Sequence, residues 1–218
     1  MALSDGTPGG SARREHERRR HAREQRVRDR YPRTGGVLFA LSDAPQHETA
    51  WRTGAEGEVR VARALERHLR KHDTVFLFHD RRMRGTRANI DHLAVGPGGI
   101  TVIDAKRLRG RVEVRRDRGI LRPRRERLFV AGRDRSKLVE GLLRQVDAVR
   151  EAFPAADVRG AFCFADVEGL PTFGRLTVAG LALCGPRGAA RLARREGSLD
   201  PGAALDLARD VERLFPPA

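Results

Sequence analysis

Only two cysteines occur in this chain, Cys163 and Cys184. They form no CxxC pair, and each sits inside an apolar run. The expectation is therefore two buried free thiols in a reducing compartment, not a disulfide framework. No run of 18 apolar residues exists, which excludes a membrane-spanning helix. The arginine clusters near the N-terminus are followed by no apolar stretch, so they do not read as a secretory signal, and the cytoplasm is the expected location. Lysine is scarce: Lys71, Lys106 and Lys137 are the full set, and every other cationic side chain is Arg. Acids are also in deficit. Lys and Arg total 44 against 29 Asp and Glu, a formal net charge of +15. Exchanging Lys for Arg leaves net charge unchanged, so the excess has another origin. A soluble protein this basic meets a polyanion, with nucleic acid the first candidate and an anionic membrane surface the second.

The 218 residues suffice for one domain with a real core, plus a tail. Residues 1–50 read as a basic arm and connector, and residues 51–218 as the folded domain, with its core at 51–165 and a C-terminal strand and helices at 166–218. Residues 1–12 are small and polar and are expected to lack order. Residues 13–33 hold ten Arg and the acids Glu15, Glu17, Glu24 and Asp29, with only Val27 and Tyr31 as larger apolar side chains. Such a segment is flexible or helical but has no stripe to bury. It also lacks the apolar face of an interfacial helix, which disfavours a membrane partner. A DNA-backbone arm and a solubilising tail both remain open. Residues 34–53 are a connector with an apolar patch, Val37–Leu41, and Trp51 is expected to anchor packing.

From Thr53 the pattern changes. Val59, Ala62, Leu65 and Leu69 recur at helical spacing over 55–71. Val75–Phe78 reads as a short buried strand and Arg81–Arg87 as a polar loop. Asn89–Val95 and Ile100–Lys106 flank the tight turn Gly96–Gly99, so 89–106 reads as a β-hairpin. Residues 111–116 and 127–131 look like a peripheral hairpin turning at Gly119. Residues 136–153 form a helix with Leu138, Leu142, Val146 and Val149 as its apolar face. Residues 158–165 and 176–184 are strands, and short helices at about 187–195 and 202–214 follow. This order predicts an α/β domain with a central mixed sheet flanked by helices.

Chemistry concentrates in four places: Gly54-Ala55-Glu56-Gly57-Glu58, Asp91, Asp104-Ala105-Lys106, and Gln145. Alternation along a strand puts Asp104 and Lys106 on one face and Ala105 on the other. They follow Ile100-Thr101-Val102-Ile103, too apolar for a surface strand, and an acid and a lysine there are costly to bury without a partner or a task. Two carboxylates and an ammonium make a hard oxygen-ligand site beside a cation. Magnesium suits it, with manganese the second choice. The matching chemistry is phosphodiester hydrolysis. Lys106 would orient or help deprotonate the attacking water, or stabilise the phosphorane. Burial lowers its pKa and the carboxylates raise it, and the sequence does not say which wins. Glu58, after the second glycine, is the third carboxylate in preference to Glu56. Gln145 either lies on its helix surface or reaches the site to hold substrate or a metal-bound water. The bland alternatives are a turn residue for Asp91, a structural ion pair for Asp104 and Lys106, and an ordinary helix-N-terminal acid for Glu58. His92 should face away from Asp91, and His72 and His79 look incidental.

At these residues the chain resembles a known family. Gly54-Ala55-Glu56-Gly57-Glu58, Asn89-Ile90-Asp91-His92 and Val102-Ile103-Asp104-Ala105-Lys106 are similar to the signature of the NERD (nuclease-related) domain, within the PD-(D/E)XK, restriction-endonuclease-like superfamily, over about residues 51–165. The resemblance implies a restriction-endonuclease-like fold and a magnesium-dependent nuclease acting on DNA. Its first acid falls on Asp91, its (D/E)XK on Asp104 and Lys106, and its helix acid on Glu58, with Glu58, Asp91 and Asp104 holding the metal. Gln145 falls where such domains often carry a polar residue. Ile90 stands where the superfamily name has Pro. A non-catalytic nucleic-acid-binding protein that retains the fold is the alternative.

Overall fold

A computed structural model describes residues 6–30, 46–83, 85–86, 88–116, 126–171 and 176–218. The Val37–Leu41 patch and the turn expected at Gly119 lie outside the described residues.

The elements run α1 (Gly10–Arg30), α2 (Gln46–Leu69), β1 (Phe76–Arg82), β2 (Asn89–Gly96), β3 (Gly99–Lys106), β4 (Val112–Arg116), β5 (Glu126–Val130), β6 (Arg133–Asp134), α3 (Ser136–Ala152), β7 (Val158–Phe164), β8 (Leu176–Val178), β9 (Leu181–Cys184), α4 (Pro186–Ala193) and α5 (Pro201–Leu214). Six strands form one sheet in the order β1-β2-β3-β7-β9-β8. The pairs β1–β2, β2–β3 and β8–β9 are antiparallel, whereas β3–β7 and β7–β9 are parallel. The long α3 makes the crossover that a parallel β3–β7 pair requires. Strands β4, β5 and β6 form a separate small sheet. The fold is thus the mixed α/β sheet with flanking helices that the sequence pattern predicts.

Each face of the main sheet has its own core. On one face Leu93, Val95, Ile100, Val102 and Phe162 pack with Val139, Leu142 and Val146 of α3 and with Ala208 and Val211 of α5. On the other, Ala94, Ile103, Ala105 and Cys163 pack with Val61, Leu65 and Leu69 of α2 and with Ala189, Ala190 and Ala193 of α4. Period-two alternation explains the division, and strands buried on both faces read as continuous apolar runs. Cys163 and Cys184 are both free, on neighbouring strands in register.

Four elements differ from the sequence-based expectation. Helix α2 starts at Gln46 and not near residue 55, so Trp51 falls within it; Gly54 and Gly57 are tolerated inside the helix and no proline interrupts it. Strand β1 continues through His79–Arg82 into the segment expected as a loop. Pairing of Arg81 with Ile90 and of Arg82 with Asn89 on one side, and of Arg82 N–H with the Pro216 carbonyl on the other, overrides the polar composition. The expected strand 176–184 is two strands, because the chain reverses at Ala179–Gly180. Residues 6–12, expected to lack order, start α1 and lie against β1 and α2.

Gly160 on β7 shows how tightly α3 seats on the sheet. A Cβ there would lie 2.4 Å from Leu181 Cδ2 and 2.7 Å from Val146 Cγ2. Gly160→Ala should therefore overpack the joint between α3, β7 and β9, and cost about 1–3 kcal/mol in urea unfolding. An unchanged midpoint and slope would contradict this packing.

Candidate active site

The register of β1, β2 and β3 sets a row of acids across the sheet. His92 pairs with Ile103, so Asp91 falls opposite Asp104. His79 pairs with His92 and Arg81 with Ile90, so Asp80 falls opposite Asp91. Asp104 continues the inward row Ile100–Val102 and is only 6% exposed. Lys106, two residues on, donates from Nζ to Asp104 Oδ1 at 2.5 Å. Asp91 Oδ2 accepts from the Ala105 N–H at 2.8 Å, across the hairpin. The two aspartates and the lysine are thus assembled by one hairpin with no help from distant chain.

Glu58 comes from α2. It lies four residues before Ala62 and seven before Leu65, so it continues the buried stripe of that helix at its N-terminal end. Gly57 permits the approach: a Cβ at this position would stand 2.8 Å from the Arg107 Cβ, just past the end of β3. Glu56, by contrast, is turned outward and pairs with Arg107 at 2.5 Å. The two acids thus occupy different sides of the helix.

The electrostatics follow from burying like charges together. Burial raises the Glu58 pKa to about 9, and the Asp91, Asp80 and Asp104 carboxylates add to the rise while Lys106 opposes it. Asp104 is also raised, first by burial and then by Asp91, against the pull of Lys106. For Lys106 burial works downward, but Asp104, Asp91 and Glu58 outweigh it, so its pKa rises and the ammonium stays charged. The balance that the sequence leaves open is settled in favour of the cation.

Gln145 sits on α3 above β2. Its Nε2 donates to the Asn89 carbonyl at 3.4 Å, two residues before Asp91, and its Oε1 is buried with no partner among the described residues. Gln145 is therefore near the start of the acidic strand, but its hydrogen bond runs to backbone and to none of the four charged side chains. His92 is fully buried on the opposite face, with its Nδ1 2.8 Å from the Nδ1 of His79, whose Nε2 lies 3.3 Å from Glu66. Burial pushes both rings down to about 3, so both are neutral.

Sequence reasoning missed Asp80. Its carboxylate accepts from Ser11 N–H at 2.7 Å, Ser11 Oγ at 2.5 Å, Asn89 Nδ2 at 3.3 Å and Arg14 at 3.4 Å, and its φ is +48°. An aspartate in the left-handed region is uncommon outside turns and sites. The one sequence signal was an acid closing the apolar run Val75–Phe78, which also reads as an ordinary strand end.

Among the described residues, no three acidic, His or Cys side chains already form a metal-ligand cluster. Magnesium needs no such cage: one or two carboxylates, water and substrate phosphate oxygens satisfy it. Asp91 and Asp104 face each other, and each has only one oxygen committed to the bonds described above. Together with the upward shifts of Glu58 and Asp104, which a divalent cation would relieve, this donor set fits a hard cation.

A mixed sheet whose central hairpin carries Asp91 and an Asp-x-Lys, with a glutamate delivered from the preceding helix, defines a nuclease-like class of α/β protein. Residues 53–165 match the NERD family, the nuclease-related domain, and the chain belongs to that family, within the PD-(D/E)XK-like nuclease superfamily. No curated protein and no solved structure matches the chain.

The Glu58 shift has a consequence for stability. Its folded pKa lies above the ordinary 4.5, so between about pH 4.5 and 9 the folded state holds a proton that the unfolded chain has lost. Stability therefore falls as pH rises through that window. Without divalent metal, Glu58→Gln should unfold at least roughly 2–4 °C above the parent near pH 8.5, with the gap closing toward pH 4.5. Equal melting temperatures near pH 8.5 would show that Glu58 is not held in a charge-repelling site.

Proposed function

We propose that this protein is a metal-dependent nuclease that hydrolyses phosphodiester bonds of DNA. The observation that carries the reading is the convergence of Glu58, Asp91 and Asp104 beside the Lys106 ammonium, on a chain of the nuclease-related family. The net charge of +15 supports a polyanionic substrate.

Asp91 and Asp104 would hold the ion, with Glu58 as the third carboxylate. When bound, magnesium or manganese lowers the pKa of a water and offsets charge on the phosphate. Lys106 remains a cation and would donate a hydrogen bond to a phosphate oxygen or to the attacking water, stabilising negative charge as it builds. A lysine whose pKa is raised is a poor proton acceptor, so its part is electrostatic. Glu58, easily protonated, is suited to trade a proton with water at the site's edge. Gln145, through Asn89, would fix the start of β2 and so the position of Asp91.

The second reading, a binding protein that retains the fold without catalysis, draws support from the closed Lys106–Asp104 pair and from the engagement of Asp91 by backbone. Cleavage separates the two. Purified protein with Mg²⁺ or Mn²⁺ should cut DNA, and Asp104→Ala should lose several orders of magnitude in rate while still binding. Near-parental cutting by Asp104→Ala would place the activity elsewhere, and no cutting of single-stranded, duplex or branched DNA by the parent would favour the second reading.

Lys106 gives a finer test. Lys106→Met should be nearly inactive, whereas Lys106→Arg should keep a measurable fraction of the rate because a cation remains. If Arg and Met were equally inactive, proton transfer by Lys106 would replace charge stabilisation in this account.

A further inference from the structure

Helix α1 lies outside the residues that match the family, yet it is fixed beside the candidate site. Ser11 bonds Asp80 through both its N–H and its hydroxyl, and Arg14 reaches both Asp80 and the Ala218 carbonyl. The backbone carbonyl of Ala55 on α2 lies so close to Gly9 that a Cβ there would stand 2.9 Å from it. The first turns of α1 are thus wedged between β1 and α2.

This wedge creates a groove of about 700 Å³ between the two helices, lined by Arg13 and His16 of α1, by Glu56, Arg60, Arg63 and Arg67 of α2, and by Arg107. Its lining includes Glu56 and Arg107, which lie two residues before Glu58 and one after Lys106 in sequence, although the site's own charged side chains do not line it. Within the groove Arg60 pairs with Asp166, and Arg107 with Glu56 and Asp166. Arg13, Arg63 and Arg67 are exposed, and no carboxylate among the described residues pairs with them. Arg60, Arg63 and Arg67 occupy one stripe of α2, at i, i+3 and i+7, and span roughly 10 Å at 1.5 Å per residue. A stripe of that length is long enough to face more than one phosphate of a single DNA strand.

We infer that the groove between α1 and α2 is a phosphate track that takes one DNA backbone strand and leads it toward Glu58 and Lys106, with Arg13, Arg63 and Arg67 as its contacts. The inference rests on the nuclease reading for where the strand goes, but the binding itself needs no metal and no cleavage. The arm is then not a loose polyanion tether: its start is latched by Asp80 so that Arg13 forms a wall of the track.

The test is DNA binding by the full chain in chelator, measured by fluorescence anisotropy against salt. The triple variant Arg13→Gln, Arg63→Gln, Arg67→Gln should lower the log–log salt slope by about 2–3, near 0.9 per lost phosphate contact. Arg63→Gln alone should lower it by about 0.9. A control, Arg150→Gln, Arg209→Gln, Arg213→Gln, removes the same net charge from arginines that pair with an acid one turn away, and should leave the slope near the parental value. Matching thermal melts by circular dichroism establish that the variants fold. A parental slope in the groove variant, an equal loss in the control, or no DNA binding by the parent would each overturn the track. Cleavage by the parent with an unchanged groove slope would sink the track alone. A reduced slope with no cleavage by the parent would sink the nuclease reading and keep the binding surface.

Discussion

The structure depends on one unfavourable proximity: several carboxylates held together where water is scarce. Asp91 and Asp104 oppose each other across a hairpin, Glu58 enters from α2, and Asp80 stands one strand away. Two uncompensated carboxylates in such a place destabilise a fold, and one lysine does not neutralise them. Lys106 is held charged by the acids, while Glu58 and Asp104 are driven toward protonation. A stable fold keeps such a cluster only when the surrounding structure over-determines it.

That over-determination is visible on both faces of the sheet. The hairpin is buried between α3 on one side and α2 with α4 on the other, so its register has no freedom to slip. Gly57 brings α2 against the end of β3 and so fixes where Glu58 enters. The outer edge of β1 is paired by the C-terminal tail, through Arg82 N–H to Pro216 and Ala218 N–H to the Asp80 carbonyl, while Ser11 and Arg14 satisfy the Asp80 carboxylate. Both ends of the described chain thus converge on the strand that carries the outermost acid.

The legible parts of the site were those with a local period. Alternation along 89–106 was enough to pair the two aspartates and put Lys106 beside Asp104, whereas Glu58 was marked only by its place after the second glycine and by the family resemblance, and its position on the buried stripe of α2 emerged from the fold. Asp80 was illegible because it stands where the apolar run gives way to a polar stretch whose strand character comes from pairing with β2 and the tail, neither of which leaves a mark in the local sequence. The docking of α1 was hidden for a related reason: it is held by hydrogen bonds from Ser11 and Arg14 and by a close backbone approach, with no apolar stripe to announce it. The reversal at Ala179–Gly180 was hidden inside a run that reads as one apolar strand. Gln145 was legible as a polar residue near the apolar face of its helix, but its partner, a backbone carbonyl, has no sequence signature.

The central claim is that the buried acids form a cation site, and isothermal titration of Mn²⁺ into the full chain near pH 8 addresses it most directly. The account predicts binding accompanied by proton release, because protonated carboxylates must give up their protons to the ion. It also predicts that binding persists in Lys106→Met and is lost when Asp91→Ala and Asp104→Ala are combined. Equal Mn²⁺ binding by the parent and that double variant would contradict it.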